Sequence, residues 1–234
     1  MLWQTPFESM QLTHVLWDWN GTLLDDVAAS LASVNDMLAR RGMPPIGLPR
    51  YKACICVPIR GFYAQVFDLE HEDYDAILAE YNAGYLLHLR ECRLAAGALE
   101  ALDAFAAAGV RQAIVSSSHQ AQLQENAARY GVADRFDALL GADDYQADSK
   151  IGRAAAYLAA AGADPAQVLV IGDLAHDAEM ARSLGTRCVL LTAGHEQPER
   201  LQAAGVPLID SLFSLVSHES KQTPCAVPEN RTGR

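Results

Sequence analysis

Four polar residues that lie far apart in the chain have side chains suited to holding an anionic group. Asp18 and Asp173 supply carboxylates, Ser116 supplies a hydroxyl and Lys150 supplies an ammonium. Two carboxylates can chelate a divalent cation, while the hydroxyl and the ammonium can donate hydrogen bonds to the oxygen atoms of an anion. This chemistry requires the four side chains to meet, so it depends on the elements that carry them.

Strands and helices alternate along most of the chain. Short apolar runs predict buried strands at residues 14–18, 112–116, 138–140, 168–172, 187–191 and 207–209. Helical patterns predict helices at residues 27–41, 99–109, 119–130, 149–161 and 177–184. This alternation predicts right-handed βαβ units and an α/β fold with a parallel sheet flanked by helices. Ligands bind beyond the carboxyl ends of such strands, so Asp18, Ser116 and Asp173 are expected at one edge, with Lys150 at a helix start beside them.

Residues 43–93 break the alternation. They contain prolines, short pieces and a helix rich in Tyr and Leu over about residues 74–90, which predicts a helical module inserted after the first strand. We therefore predict an N-terminal extension (1–12), an α/β core (13–26 and 94–217), a helical module (27–93) and a disordered tail (218–234). The polar and aperiodic sequence of the tail offers little apolar surface to bury.

Composition narrows the class of partner. The formal charge is −11 and the sequence pI is about 5.0, which disfavours nucleic acid as a general partner. No apolar run approaches the roughly 20 residues of a membrane span, and the first residues do not form a secretory signal. Five scattered cysteines fit a reducing compartment, so we expect a cytoplasmic protein. Cys54 and Cys56 form a lone pair that is more typical of ordinary half-buried cysteines than of a metal site.

Each candidate residue has an alternative structural role. Asn20–Gly21 is a hairpin signal beside Asp18, the serines at 116–118 can cap a helix, Lys150 can lie on the surface, and Asp173 and Asp177 can begin a helix. Taken singly, these roles are at least as common as catalytic ones. Taken together, they require four coincidences at strand ends, so we favour a shared site.

The motifs in their order along the chain resemble those of the haloacid dehalogenase superfamily. The segment from Asp18 to Asp25 is similar to the first motif, DxDGTLxD, and Val170–Asp177 is similar to the fourth, GDxxxD. Ser116, after Val115, and Lys150, after Ser149, are similar to the second and third motifs. The resemblance spans about residues 13–217 and implies a Rossmann-like core with an inserted helical cap. In its pattern of motifs and insertion, the chain most resembles the phosphoglycolate phosphatase-like and phosphosugar phosphatase-like members.

The resemblance also implies a role for each residue. Asp18 would be the nucleophile that forms an aspartyl-phosphate, which water then hydrolyses. Mg²⁺ would be held by Asp18, the backbone carbonyl of Asn20 and Asp173. The phosphate would be held by Ser116, Lys150 and backbone N–H groups near Gly21 and Ser117, and Asp177 would orient Lys150 or a magnesium-bound water. The expected partner is a small phosphorylated metabolite, such as phosphoglycolate or a sugar phosphate, with Arg60 of the cap as a candidate substrate contact.

Asn20 departs from the family pattern. The family's phosphatases have aspartate at this position, where it protonates the leaving oxygen and later deprotonates water. An amide cannot exchange a proton at neutral pH, and losing a general acid–base typically costs about 10²–10⁴-fold in rate. Either another group substitutes, with His176, His119 or a cap residue as candidates, or the leaving group needs little protonation.

Two further readings remain open. The chain can be a weak catalyst or an inactive protein that still binds a phosphate ligand. The motif is also similar to that of phosphonoacetaldehyde hydrolases, which use a cap lysine to form a Schiff base. The module contains one lysine, Lys52, but its surroundings do not match that pattern.

Overall fold

The computed structural model describes residues 11–143 and 150–216. The predicted tail, residues 1–10 of the predicted extension, and Ser149 lie outside these ranges. The described strands are β1 (His14–Trp17), β2 (Leu24–Asp25), β3 (Arg93–Leu94), β4 (Arg111–His119), β5 (Ala138–Ala142), β6 (Val168–Gly172), β7 (Arg187–Leu191) and β8 (Leu208–Ile209). The described α-helices are α1 (Val27–Arg40), α2 (Leu48–Cys54), α3 (Arg60–Val66), α4 (Tyr74–His88), α5 (Ala98–Ala107), α6 (Gln120–Arg129), α7 (Ile151–Ala161), α8 (Ala175–Leu184) and α9 (Pro198–Ala203).

Six strands form a parallel sheet in the order β5-β4-β1-β6-β7-β8. The predicted α/β class and the parallel sheet are therefore confirmed. β1 lies between β4 and β6, and all four of its residues are buried. Its side chains alternate, so that Val15 and Trp17 join one hydrophobic cluster while Leu16 joins another. This explains the unbroken apolar run before Asp18, because helices on both faces of a parallel sheet bury both faces of its central strands.

The structure differs from the predicted elements at three places. β4 continues to His119, past the predicted end at Ser116, with an irregular register between Val115 and His119. The helix α9 was not predicted. The short antiparallel pair of β2 and β3 was also missed, because two residues per strand are too few to show an alternating pattern.

The helices α1 to α4 lie between β2 and β3 and form the helical insertion. They enclose a hydrophobic cluster of their own, which includes Met37, Tyr51, Phe62, Tyr63 and Ile77. The domain bounds remain a prediction, and we call residues 27–93 the cap. None of the helices within the described ranges is both long and apolar enough to cross a bilayer.

Candidate functional site

The end of β1 places Asp18 at the carboxyl edge of the sheet. The Asp18 amide donates to the Ile171 carbonyl at 2.8 Å, which extends the pairing of β1 with β6 by one residue. The chain then turns at Gly21, whose φ is +74°. A Cβ at this glycine would overlap the Asp173 carboxylate, so the loop needs glycine both for its backbone angle and for the close approach.

Three carboxylates and one ammonium are buried together at this edge. Ligand oxygens of Asp18, Asp173 and Asp177 lie within 4.8 Å of one another. Lys150 Nζ donates to Asp18 Oδ1 at 2.5 Å and lies 2.7 Å from Asp177 Oδ1. The structure thus brings together the predicted Asp18, Lys150, Asp173 and Asp177.

The charges in this cluster do not balance. Burial raises the pKa of Asp18, although the adjacent Lys150 opposes the shift. Burial also raises the pKa of Asp173 well above its ordinary value, and the neighbouring Asp18 and Asp177 carboxylates add to the shift. Three buried carboxylates that share one ammonium favour binding of a further cation. Because the donors are all oxygen atoms, they fit a hard divalent cation such as Mg²⁺.

Asp177 holds two neighbouring parts of the site in position. Its Oδ2 accepts hydrogen bonds from the backbone amides of Asp173, at 3.1 Å, and Leu174, at 3.0 Å. Its Oδ1 faces Lys150. Asp177 therefore holds both the loop after β6 and the ammonium in place, as expected for a residue that orients Lys150.

The serines near the end of β4 line the same cavity. Ser116 is buried and accepts a hydrogen bond from the Ser118 amide at 3.1 Å, and Ser116 and Ser117 both line the cavity beside Asp18. Ser118 Oγ donates to Asn20 Oδ1 at 2.6 Å. The third serine, which the sequence suggested only as part of a helix cap, therefore links the end of β4 to the loop after β1.

The Asn20 side chain is fully engaged in hydrogen bonds. Besides accepting from Ser118, it donates through Nδ2 to Asp26 Oδ2 at 2.7 Å and to the Tyr85 hydroxyl at 2.8 Å. The Tyr85 hydroxyl also donates to Asp26 Oδ2 at 2.7 Å. The amide is therefore a fixed link between the cap and the core.

Asp26 leads to a second buried network that sequence reasoning missed. Its Oδ1 lies 3.1 Å from His195 Nε2, and His195 Nδ1 lies 2.9 Å from the Tyr51 hydroxyl on α2. The His195 amide donates to Asp173 Oδ2 at 2.6 Å. A signal for His195 existed, because it follows β7, whose carboxyl end is at the same sheet edge. Asp26 directly precedes the helix predicted at residues 27–41 and carried no further signal, and Tyr51 carried none.

The pair of His195 and Asp26 predicts a pH-dependent stability. Burial opposes the charge on His195, but the Asp26 carboxylate raises its pKa to about 9, so the folded protein holds this proton more tightly than the unfolded chain. The stabilisation is complete below about pH 6.5 and is lost as the pH rises through about 9. Between pH 6.5 and 9, the Tm of the metal-free protein should therefore fall further than the Tm of its His195→Gln variant. Each kcal/mol of unfolding free energy lost corresponds to about 2–4 °C in Tm. Parallel curves for the two proteins would contradict the prediction.

The other candidates from the sequence have mixed outcomes. His119 and His176 line the cavity. The Arg60 guanidinium stacks over the Tyr74 ring, 4.5 Å from its centroid, and neither Arg60 nor Lys52 is among the described residues that line the cavity. A substrate contact by Arg60 stays a prediction. Cys54 and Cys56 belong to no cluster of metal-ligating side chains within the described ranges.

Comparisons with known proteins agree with this geometry. The family model of the haloacid dehalogenase-like hydrolases matches residues 15–191. The N-acetylmuramic acid 6-phosphate phosphatase of Pseudomonas putida is 30% identical over 198 residues, which cover 81% of this chain and 87% of the relative. The phosphoglycolate phosphatase of Caulobacter vibrioides is 26% identical over 206 residues, which cover 85% and 86%.

Solved structures are similar in fold. A haloacid dehalogenase-like hydrolase from Streptococcus pneumoniae superposes with a TM-score of 0.77 at 17% identity, over 88% of this chain and 97% of that chain. A predicted phosphoglycolate phosphatase from Haemophilus somnus gives a TM-score of 0.73 at 20% identity, over 89% and 98%. With the family model matched across most of the core and the motif residues gathered at one sheet edge, the chain belongs to the haloacid dehalogenase-like hydrolases.

Proposed function

We propose that this protein is a magnesium-dependent phosphatase that hydrolyses small phosphate monoesters through an aspartyl-phosphate on Asp18. The observation that carries the proposal is the buried contact of Asp18 with Lys150 inside a cluster of three carboxylates. Such a cluster is unfavourable unless charges of opposite sign complete it. The relatives named as phosphatases of N-acetylmuramic acid 6-phosphate and phosphoglycolate support a small phosphorylated metabolite as the substrate class.

The proposed reaction uses two displacements at phosphorus. A carboxylate oxygen of Asp18 attacks the phosphorus, the bond to the ester oxygen breaks, and the leaving alkoxide takes up a proton from water or from His119 or His176, which line the cavity. Water then attacks the aspartyl-phosphate, which releases inorganic phosphate and restores the carboxylate. Lys150 stabilises the charge on the transferring group, while Ser116 and the backbone amides near Ser117 and Gly21 hold its oxygens.

The metal would be held by Asp18, Asp173 and the backbone carbonyl of Asn20. When bound, Mg²⁺ would offset the negative charge of the phosphate and of the carboxylates. Asp177 would keep the Asp173 loop and Lys150 in position, as its hydrogen bonds indicate.

Asn20 cannot supply the proton that an alkyl leaving group needs, so we expect Asn20→Asp to raise the turnover of alkyl phosphates at least about tenfold. The new carboxyl group would lie within hydrogen-bond distance of Asp26, because Asn20 Nδ2 is 2.7 Å from Asp26 Oδ2. Two carboxyl groups at this distance share a proton, which supplies an acid at the site. The measurement is kcat on an alkyl phosphate, with thermal stability recorded in parallel.

Two controls make this result specific. Acetyl phosphate and an aryl phosphate have leaving groups that need little protonation, so the same variant should change their turnover by less than the alkyl ester's. Asn20→Ser, which also lacks an acid, should not raise alkyl phosphate turnover. An unchanged or lower alkyl rate in folded Asn20→Asp protein would refute the missing-acid argument.

A phosphate-binding protein without turnover is the second candidate function, since the Asn20 amide is held in hydrogen bonds and carries no transferable proton. A screen of phosphate esters on freshly purified protein, with Mg²⁺ and with a chelator, separates the two. Magnesium-dependent phosphate release supports the phosphatase. Thermal stabilisation by the same esters without release supports the binding protein.

A further inference from the structure

The cap closes one side of the cavity with uncharged side chains. The cavity has a volume of about 200 Å³, and its cap side includes Tyr51, Ile55, Tyr63, Leu78, Tyr81 and Asn82. All of residues 27–93 are described, and none of the lysine, arginine, aspartate or glutamate side chains among them lines the cavity. A leaving group that extends from the phosphate site toward the cap therefore meets aromatic and aliphatic surface.

Most tyrosine hydroxyls at this surface are already used. The Tyr51 hydroxyl pairs with His195, the Tyr81 hydroxyl donates to Ser30 Oγ at 3.2 Å, and the Tyr85 hydroxyl donates to Asp26. Two polar groups remain. The Tyr63 hydroxyl and the Asn82 amide have no hydrogen-bond partner among the described residues, although Tyr63 is only 2% exposed. Tyr63 is buried and lines the cavity, so a ligand bound there would supply a partner for its hydroxyl.

On the core side of the cavity, the lysine and one histidine are already paired with carboxylates, which leaves little positive charge for a second negative group on the substrate. Lys150 is paired with Asp18 and Asp177, and His195 is paired with Asp26. Two further imidazoles line the cavity, those of His119 at the end of β4 and His176 in the first turn of α8. His176 Nδ1 lies 3.2 Å from Glu179, and its buried Nε2 has no hydrogen-bond partner among the described residues. A carboxylate on the leaving group would lose its hydration near Asp26 and gain no cation from the cap.

We propose that the cap half of the cavity is a subsite for an uncharged, ring-shaped leaving group that carries hydroxyl or amide groups, and that Tyr63 and Asn82 bind its polar atoms. The subsite rests on the proposed function, because it names the ester class that the phosphatase accepts. It favours neutral sugar phosphates over phosphoglycolate and over sugar phosphates that carry a carboxylate. The aromatic rings cover the ring of the substrate, and the hydroxyl and the amide select its polar substituents.

Matched pairs of esters that differ in one carboxylate test the subsite. N-acetylglucosamine 6-phosphate lacks the whole O-lactyl group of N-acetylmuramic acid 6-phosphate, including its carboxylate. In the second pair, which controls for size, 2-hydroxyethyl phosphate replaces the carboxylate of phosphoglycolate with a hydroxymethyl group. We expect the neutral member of each pair to have the higher kcat/KM, by at least about tenfold, with N-acetylglucosamine 6-phosphate the best of the four. Equal or better use of the carboxylated members would overturn the proposal.

Variants locate the effect. Tyr63→Phe should raise KM for N-acetylglucosamine 6-phosphate about fivefold while kcat changes less than twofold. Tyr157→Phe, the same change on α7 outside the cavity, should alter neither constant. Asn82→Lys places a cation on the cap side and should shift the preference of each pair toward its carboxylated member. Wild-type constants in folded Tyr63→Phe and unchanged preferences in folded Asn82→Lys would also overturn the subsite.

A binding measurement separates this proposal from the proposed function. The dissociation constants of the four esters for Asp18→Asn protein report the subsite without turnover. If no ester or acyl phosphate is hydrolysed but the neutral esters bind more tightly, the phosphatase fails and the subsite stands. If all are hydrolysed and bound without regard to the carboxylate, the phosphatase stands and the subsite fails.

Discussion

Asp18→Asn is expected to lower phosphate release from acetyl phosphate by at least about 10³-fold, because an amide cannot replace the carboxylate nucleophile. The substitution preserves the shape of the side chain. Lys150 keeps its ion pair with Asp177, so the variant should fold and still bind phosphate esters. Rates are measured with freshly purified protein in the presence of Mg²⁺.

Asp25→Asn is the matched control for this experiment. Asp25 belongs to the same motif, but it is exposed and lies outside the carboxylate cluster, so its removal should change the rate little. A folded Asp18→Asn protein that retains a tenth or more of the wild-type rate would show that Asp18 is not the nucleophile.

Lys150→Met is expected to destabilise the metal-free protein by about 3–5 kcal/mol, because it leaves three buried carboxylates without their ammonium. At about 2–4 °C per kcal/mol, the unfolding temperature should fall by roughly 6–20 °C. The carboxylates must take up protons to stay buried, so the loss should shrink as the pH is lowered. Mg²⁺ should restore part of the stability if the same carboxylates bind it.

Lys52→Met provides the comparison, because it removes a half-buried lysine that forms no ion pair with the three carboxylates and interacts only with Asp173, at longer range. Its unfolding temperature should change far less than that of Lys150→Met. Mg²⁺ should shift this temperature by the same amount as it shifts that of the wild-type protein. Similar losses in the two variants would mean that Lys150 contributes only as a packed side chain.

The sequence was informative about the site where residues follow apolar strands. Asp18, Ser116 and Asp173 could be placed at one sheet edge because the carboxyl ends of parallel strands share that edge. Lys150 could be placed beside them because it begins the helix that follows the strand predicted at residues 138–140, and the resemblance to a family then gave it a role. The structure buries Asp18, Lys150 and Asp173 in direct contact or close proximity, as predicted.

The network of Asp26, His195 and Tyr51 could not be derived in the same way. Asp26 lies between β2 and α1, His195 lies in the loop after β7 and Tyr51 lies on a cap helix, so their contact depends on how the cap docks on the core. Periodicity describes which face of an element is buried, but it does not report the angle between two modules. For the same reason, the sequence did not show that Asn20 is bonded to Tyr85 on the cap.

The central position of β1 affects how the chain can fold during synthesis. β1 leaves the ribosome first among the sheet strands, yet its partners begin only at residues 111 and 168. Until β4 has emerged, the apolar segment Val15–Trp17 has no strand to pair with, and until β6 has emerged one of its edges stays unpaired, which exposes it to chaperone binding and aggregation. A nascent chain that stops before β6 therefore lacks one of the two neighbours of its central strand, together with Asp173, and cannot assemble the carboxylate cluster.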